Sequence, residues 1–187
     1  EKVARENVIE AYGEWLLAAL ARWKEHYQTY KRLGPRPVLF IMAERNDLAD
    51  RIGDWLVETK ETGLKTREVL VIHTDTEGEI TKKDVEKARK AARDIDLPDS
   101  KIKTVVSVLM LREGWDVRNV TVVLGLRPFT SKAKILPEQA VGRGLRLMEG
   151  VSPDRTQTLE VIGTQAFEDF VRQLEAEGVG IRTVTTP

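Results

Sequence analysis

The chain has 187 residues, 41% hydrophobic and 32% charged, a size and balance suited to one globular domain with its own core. Its 30 basic residues cancel 30 acidic ones, so no global positive field draws in nucleic acid and any such contact must come from a local patch. With no cysteine there is neither a disulfide framework nor a thiolate metal site, and His26 and His73 are the sole imidazoles, so no metal centre is expected.

From Val3 to Leu33 apolar residues recur at helical spacing, and Val8, Tyr12, Trp15, Leu16, Ala19, Leu20, Trp23, Tyr27 and Tyr30 form one stripe. The pattern predicts one long helix, or two. An unbroken helix of that span runs ~45 Å, longer than a small domain is wide. Its aromatic stripe is therefore expected either to cover the core or, in part, to face a body outside this chain. The sequence opens at Glu1 directly in this pattern, which reads as a piece of a larger protein: a helical extension over 1–34 and the main domain over 35–187.

Past the breaker Gly34-Pro35-Arg36-Pro37 the rhythm changes to short β-branched runs alternating with charged helical stretches. Strands are predicted at Val38–Ala43, Val69–Thr74, Thr104–Leu109, Thr121–Leu126 and Leu159–Ile162. Helices are predicted at Asn46–Lys60, Thr81–Asp94, Pro137–Met148 and Gln165–Glu177. Near-continuous apolar strands joined by helices imply an α/β fold, a parallel sheet with helices on both faces, preceded by the long N-terminal helix. In such sheets ligand-binding residues gather beyond the carboxyl ends of the strands.

The most informative stretch is the helix opened by Pro137. At ~100° per residue, Gln139, Arg143 and Arg146 fall within roughly 60° of one another, while Val141, Leu145 and Met148 cluster opposite. Two guanidiniums on one face repel unless an anion sits between them, and their planar forks suit phosphate oxygens. Gly142 and Gly144 cost about 1 kcal/mol each in a helix interior, which a close approach by ligand or backbone explains. A solvated arginine face with local salt bridges is the competing reading.

Gln139-x-x-Gly142-Arg143-x-x-Arg146 resembles the QxxGRxxR pattern, motif VI, of superfamily 2 helicases at every defined position. The resemblance implies a second RecA-like motor domain. Arg143 and Arg146 would act as arginine fingers on the γ-phosphate of ATP, with Gln139 helping to position nucleotide or water and Gly142 allowing close approach. Upstream, Glu113-Gly114-Trp115-Asp116 ends in the Gly-x-Asp that resembles motif V. By that resemblance Asp116 accepts a hydrogen bond from the ribose and Gly114 lets the loop approach nucleotide or DNA. The family often has threonine eight residues before this aspartate to touch a DNA phosphate; here Val108 stands there, with Ser107 beside it as the candidate. Pro37 to Glu44 looks like motif IV, and Val71-Ile72-His73-Thr74 resembles the strand whose polar end faces the DNA backbone, making His73 and Thr74 candidate phosphate contacts. A histidine at a strand end is also commonly a capping residue, and Lys132 and Lys134 read as solvated lysines.

Further segments look like the restriction subunit of type III restriction-modification enzymes: Ala92 to Ser100, Val106 to Val120, Gly125-Leu126-Arg127-Pro128-Phe129-Thr130, Ile135 to Gln139, and Val161 to Phe167. The resemblance spans roughly residues 36 to 178. It implies a translocating hydrolase that uses ATP and Mg²⁺ held mainly by a first RecA-like domain of the same chain. Its partners would be double-stranded DNA, a nuclease domain and a methyltransferase subunit. Another superfamily 2 repair helicase, or a degenerate helicase-like docking module, are the alternatives.

Several chemistries find no support. No phosphate loop or Asp-Glu box occurs, and Gly63-Leu64-Lys65-Thr66 lacks the first glycine and the Gly-Lys adjacency. Glu58-Thr59-Lys60 precedes Pro98-Asp99, the reverse of the order in Pro-Asp…Glu-x-Lys nucleases. No apolar run approaches the ~20 residues that span a bilayer and no signal-peptide pattern opens the chain, so a cytoplasmic protein without a membrane partner is expected. Hydrolysis is not expected of the fragment alone.

Overall fold

A computed structural model describes residues 3–73, 86, 90, 93–108, 117–126, 148, 151–152 and 157–163. Helix α1 (Val8–Lys31) leads into β1 (Val38–Met42), α2 (Asn46–Glu58), β2 (Val69–Ile72), β3 (Thr104–Ser107), β4 (Val120–Gly125) and β5 (Glu160–Gly163), with single 3-10 turns at Lys60–Thr62 and Thr66–Glu68. All five strands pair in parallel in the order β2-β3-β1-β4-β5. The expected parallel α/β sheet is present, and all five predicted strands are found.

Strand and helix ends differ from the expected ones for local reasons. The ladder stops at Met42, Ile72 and Ser107, so Ala43, His73 and Val108 lie just outside it. Helix α1 is single and begins at Val8 rather than Val3, because the Asn7 side chain accepts a 2.7 Å hydrogen bond from Ala4 N–H and folds residues 4–7 into a turn. Its 24 residues span ~36 Å. It ends before Gly34, whose φ of 110° turns the chain toward β1 at a conformation other residues rarely adopt. Of the predicted helix Thr81–Asp94, Glu86, Lys90, Arg93 and Asp94 are described and helical. The predicted helices Pro137–Met148 and Gln165–Glu177 lie outside the described residues except for Met148, which is non-helical, buried, and donates its N–H to Gln157 Oε1 at 2.7 Å.

Register divides the sheet into two faces. Leu39 and Ile41 stand level with Thr104 and Val106 on one side and Val122 and Leu124 on the other, and all six are buried. Onto this face pack Val8, Leu16, Ala19, Leu20 and Trp23 of α1 and Leu48, Ala49, Ile52 and Leu56 of α2, forming one continuous core. Helix α1 is thus integral to the domain rather than an appended arm. Most of its stripe meets the sheet; Trp15 is the exception at 40% exposure. On the opposite face Phe40, Met42, Val105 and Val123 are also withdrawn from solvent, so the sheet is covered on both sides.

Two contacts seat the helices. The Trp23 indole N–H donates to Pro37 O at 2.8 Å, fixing α1 to the start of β1. On α2, a Cβ at Gly53 would lie 2.6 Å from Val71 Cγ2, so the missing side chain is what lets α2 approach β2. Valine cannot swing aside cheaply, because its branched side chain is stiff. Gly53→Ala should therefore lower stability by about 1 kcal/mol, overpacking outweighing a helix-propensity gain of about 1 kcal/mol. Val71→Ala in the same molecule should cost clearly less than the sum of the two single changes, as read by urea unfolding followed by circular dichroism. Simple additivity would show that the two side chains do not compete for this space.

At the amino edge of the sheet, side chains lock the layers together. Glu160 of β5 accepts from Arg22 through both oxygens, Nη2 to Oε1 at 2.6 Å and Nε to Oε2 at 2.7 Å, and lies 2.9 Å from His26 Nε2. Nearby, Lys103 Nζ bonds Glu68 at 2.8 Å and sits 5.4 Å above the Tyr27 ring, linking the starts of β2 and β3 to α1. The Arg22 hydrogen bonds, opposed by partial burial and helped by His26, hold the Glu160 carboxyl below its ordinary range. For Glu68 burial pushes upward, but the Lys103 bond and the Lys65 backbone N–H together outweigh it and hold that carboxyl low as well. Because both folded-state values are depressed, the stability they add is present above the ordinary carboxylate value of ~4.3 and is lost as pH falls through the lower folded values. Glu160→Gln should cost about 1–2 kcal/mol at pH 7, and its gap from wild type should narrow in urea titrations stepped from about pH 5 to pH 3. A gap independent of pH would rule out a charged clamp.

Candidate functional site

Parallel pairing brings every carboxyl end to one edge: Met42, Ile72, Ser107, Gly125 and Gly163. Backbone hydrogen bonds carry three of these ends one residue further, Ala43 N–H to Ser107 O at 3.0 Å, Val108 N–H to Ile72 O at 3.3 Å and Leu126 N–H to Met42 O at 3.0 Å. The first residues beyond β1, β3 and β4 are therefore fixed relative to one another, which a composite site on this edge requires.

After β1 the chain runs Ala43-Glu44-Arg45-Asn46 into α2 without a glycine-rich turn. Arg45 grips Asp47 with two hydrogen bonds, Nε to Oδ1 at 3.0 Å and Nη2 to Oδ2 at 2.9 Å, and its Nη1 reaches Val3 O at 3.4 Å. The side-chain bonds from Arg45, against a weaker effect of burial, lower the Asp47 carboxyl. Tyr12, on the first half of α1, is shifted up by burial and by the charge of Glu44. Helix α1 thus begins at the carboxyl edge. The start of α2 is acidic, with Glu44, Asp47 and Asp50 near its N-terminus, and it is not a phosphate cradle of the dinucleotide-binding kind.

Beyond β2, the His73 ring is exposed and its Nε2 lies 2.7 Å from Asp50 Oδ1 on α2. Beneath it, Ser107 ends β3 and is 1% exposed, so its hydroxyl is not presented at the surface in this structure. Register sets Ser107 level with Met42 and Ile72 at the carboxyl end of the sheet. Thr74, Gly114, Asp116, Gln139, Gly142, Arg143 and Arg146 lie outside the described residues. In sequence, Gly114 and Asp116 fall between β3 and β4, and the glutamine, Gly142 and the two arginines fall between β4 and β5.

Sequence reading missed Asp50. The acids Asp47, Asp50 and Asp54 recur at helical spacing and read as a solvated face; nothing in a one-dimensional pattern signals that one of them meets a histidine 23 residues later. Among the described residues no group of His, Asp and Glu is arranged to hold a metal ion, and no helix is long and apolar enough to cross a membrane.

No family model matches the chain, and no curated protein sequence matches it. Among solved structures it is similar to a variant C-terminal domain of S. cerevisiae Dbp5 bound to a Gle1 variant and IP6, with 12% identity over 86% of this chain and 79% of that one and a TM-score of 0.42.

Proposed function

We propose that the chain is the second RecA-like motor domain of an ATP-driven superfamily 2 helicase or translocase, acting on double-stranded DNA as part of the restriction subunit of a type III restriction enzyme. The observation that carries this reading is the sequence Gln139-x-x-Gly142-Arg143-x-x-Arg146, which follows the strand Val120–Gly125 in a parallel sheet. It is preceded by Gly114-Trp115-Asp116 after the strand Thr104–Ser107, which β1 separates from Val120–Gly125 in the sheet. Chain that leaves parallel strands at their carboxyl ends is where such folds keep ligand-binding residues.

In this role the domain supplies one wall of an interdomain cleft. Arg143 and Arg146 neutralise charge that develops on the transferred phosphoryl group, Gln139 orients nucleotide or the attacking water, and Asp116 receives the ribose hydroxyl. The first motor domain contributes most of the ATP and Mg²⁺ site, and a methyltransferase subunit reads the target sequence. An exposed imidazole, His73, stands at the β2 corner as a contact for the DNA backbone.

DNA-stimulated ATP hydrolysis by a protein carrying both motor domains should fall ~10³-fold or more in Arg143→Ala and in Arg146→Ala, with circular dichroism confirming that each variant folds. Lysine at either position should restore little, because a point charge cannot reproduce the guanidinium fork. Rates near wild type in both alanine variants would reduce the domain to a docking scaffold. Residues 1–187 alone should bind ATP only weakly in calorimetry; tight magnesium-dependent binding would contradict a one-walled site.

A further inference from the structure

We propose that Asp50 is a positioning residue that holds the His73 imidazole at the carboxyl corner of β2 for contact with a phosphate oxygen of the nucleic-acid backbone. This role rests on the motor-domain reading for the identity of the anion. The geometry is local and specific. Asp50 Oδ1 accepts from His73 Nε2–H at 2.7 Å, so the ring is oriented from α2 and its other nitrogen, Nδ1, is directed away from the carboxylate. Held this way, the ring meets an anionic oxygen through Nδ1 while the carboxylate stays on its far side.

Two further observations separate this pair from an incidental surface contact. Both side chains are 42% exposed, and a pair that accessible adds little to stability, so the fold does not need it. Yet α2 comes close enough to β2 for the pair to form because position 53, one turn after Asp50, is glycine, and it faces Val71, two residues before His73. The same close approach that sets the packing also sets the reach of Asp50. Position in the sheet adds a functional separation. Strand β2 is at one side of the order β2-β3-β1-β4-β5, while the chain carrying Arg143 and Arg146 leaves from β4, three strand spacings or roughly 14 Å away.

The test is ATP hydrolysis against duplex DNA concentration in the two-domain protein, comparing wild type with Asp50→Ala, Asp50→Asn, His73→Ala and the Asp50→Ala/His73→Ala pair. Asp50→Ala and His73→Ala should each raise the DNA concentration for half-maximal stimulation about three- to fivefold. The double variant should be no worse than His73→Ala, since Asp50 acts through the ring. Asp50→Asn, which keeps an acceptor in place, should recover most of the effect. Wild-type behaviour of Asp50→Ala, additive losses in the double variant, or no recovery by asparagine would each overturn the role. If Arg143→Ala and Arg146→Ala abolish hydrolysis while Asp50→Ala is wild type, this inference alone fails. If the arginine variants hydrolyse normally, the motor reading fails and this role with it.

Discussion

Parallel pairing of five short strands is the constraint from which the rest of this molecule follows. A parallel strand needs a long crossover to its neighbour, so helices are brought onto the sheet and apolar residues are required along nearly every position of the central strands. Val38 to Met42 meets that requirement without interruption, and β1 sits in the middle of the order. The same constraint gives the sheet two unlike edges, one where all strands begin and one where all end.

Among the described residues, several side-chain contacts tie the layers together at the beginning edge. The Glu160 carboxylate between Arg22 and His26, the Lys103–Glu68 pair and the Trp23 bond to Pro37 each join an element of the sheet to another element or to α1. At the ending edge the bonds between strands are mainly backbone, from Ala43 to Ser107, Val108 to Ile72 and Leu126 to Met42.

Helix α1 shows how composition can mislead about partners. Its aromatic stripe looks long enough to serve a second body, yet Trp23 and Tyr30 are buried, Tyr12 and Tyr27 pack partly against the core, and Trp15 alone among the stripe's aromatics is exposed. A helix that crosses the full height of a parallel sheet needs an apolar face of that length simply to cover it. Its antiparallel run also brings Tyr12 and the backbone of Val3 to the ending edge, beside Glu44 and Arg45.

Much was legible in one dimension. Short β-branched runs bounded by turn residues marked all five strands, because burial on both faces leaves an unmistakable apolar signature, and helical spacing marked α1 and α2. Strand order, the burial of Ser107 and the meeting of Asp50 with His73 were decided only by tertiary structure. The first two depend on which strands become neighbours, the third on how far α2 and β2 approach. Those outcomes turn on a missing Cβ at Gly53 and on register across the sheet, neither of which a linear pattern encodes.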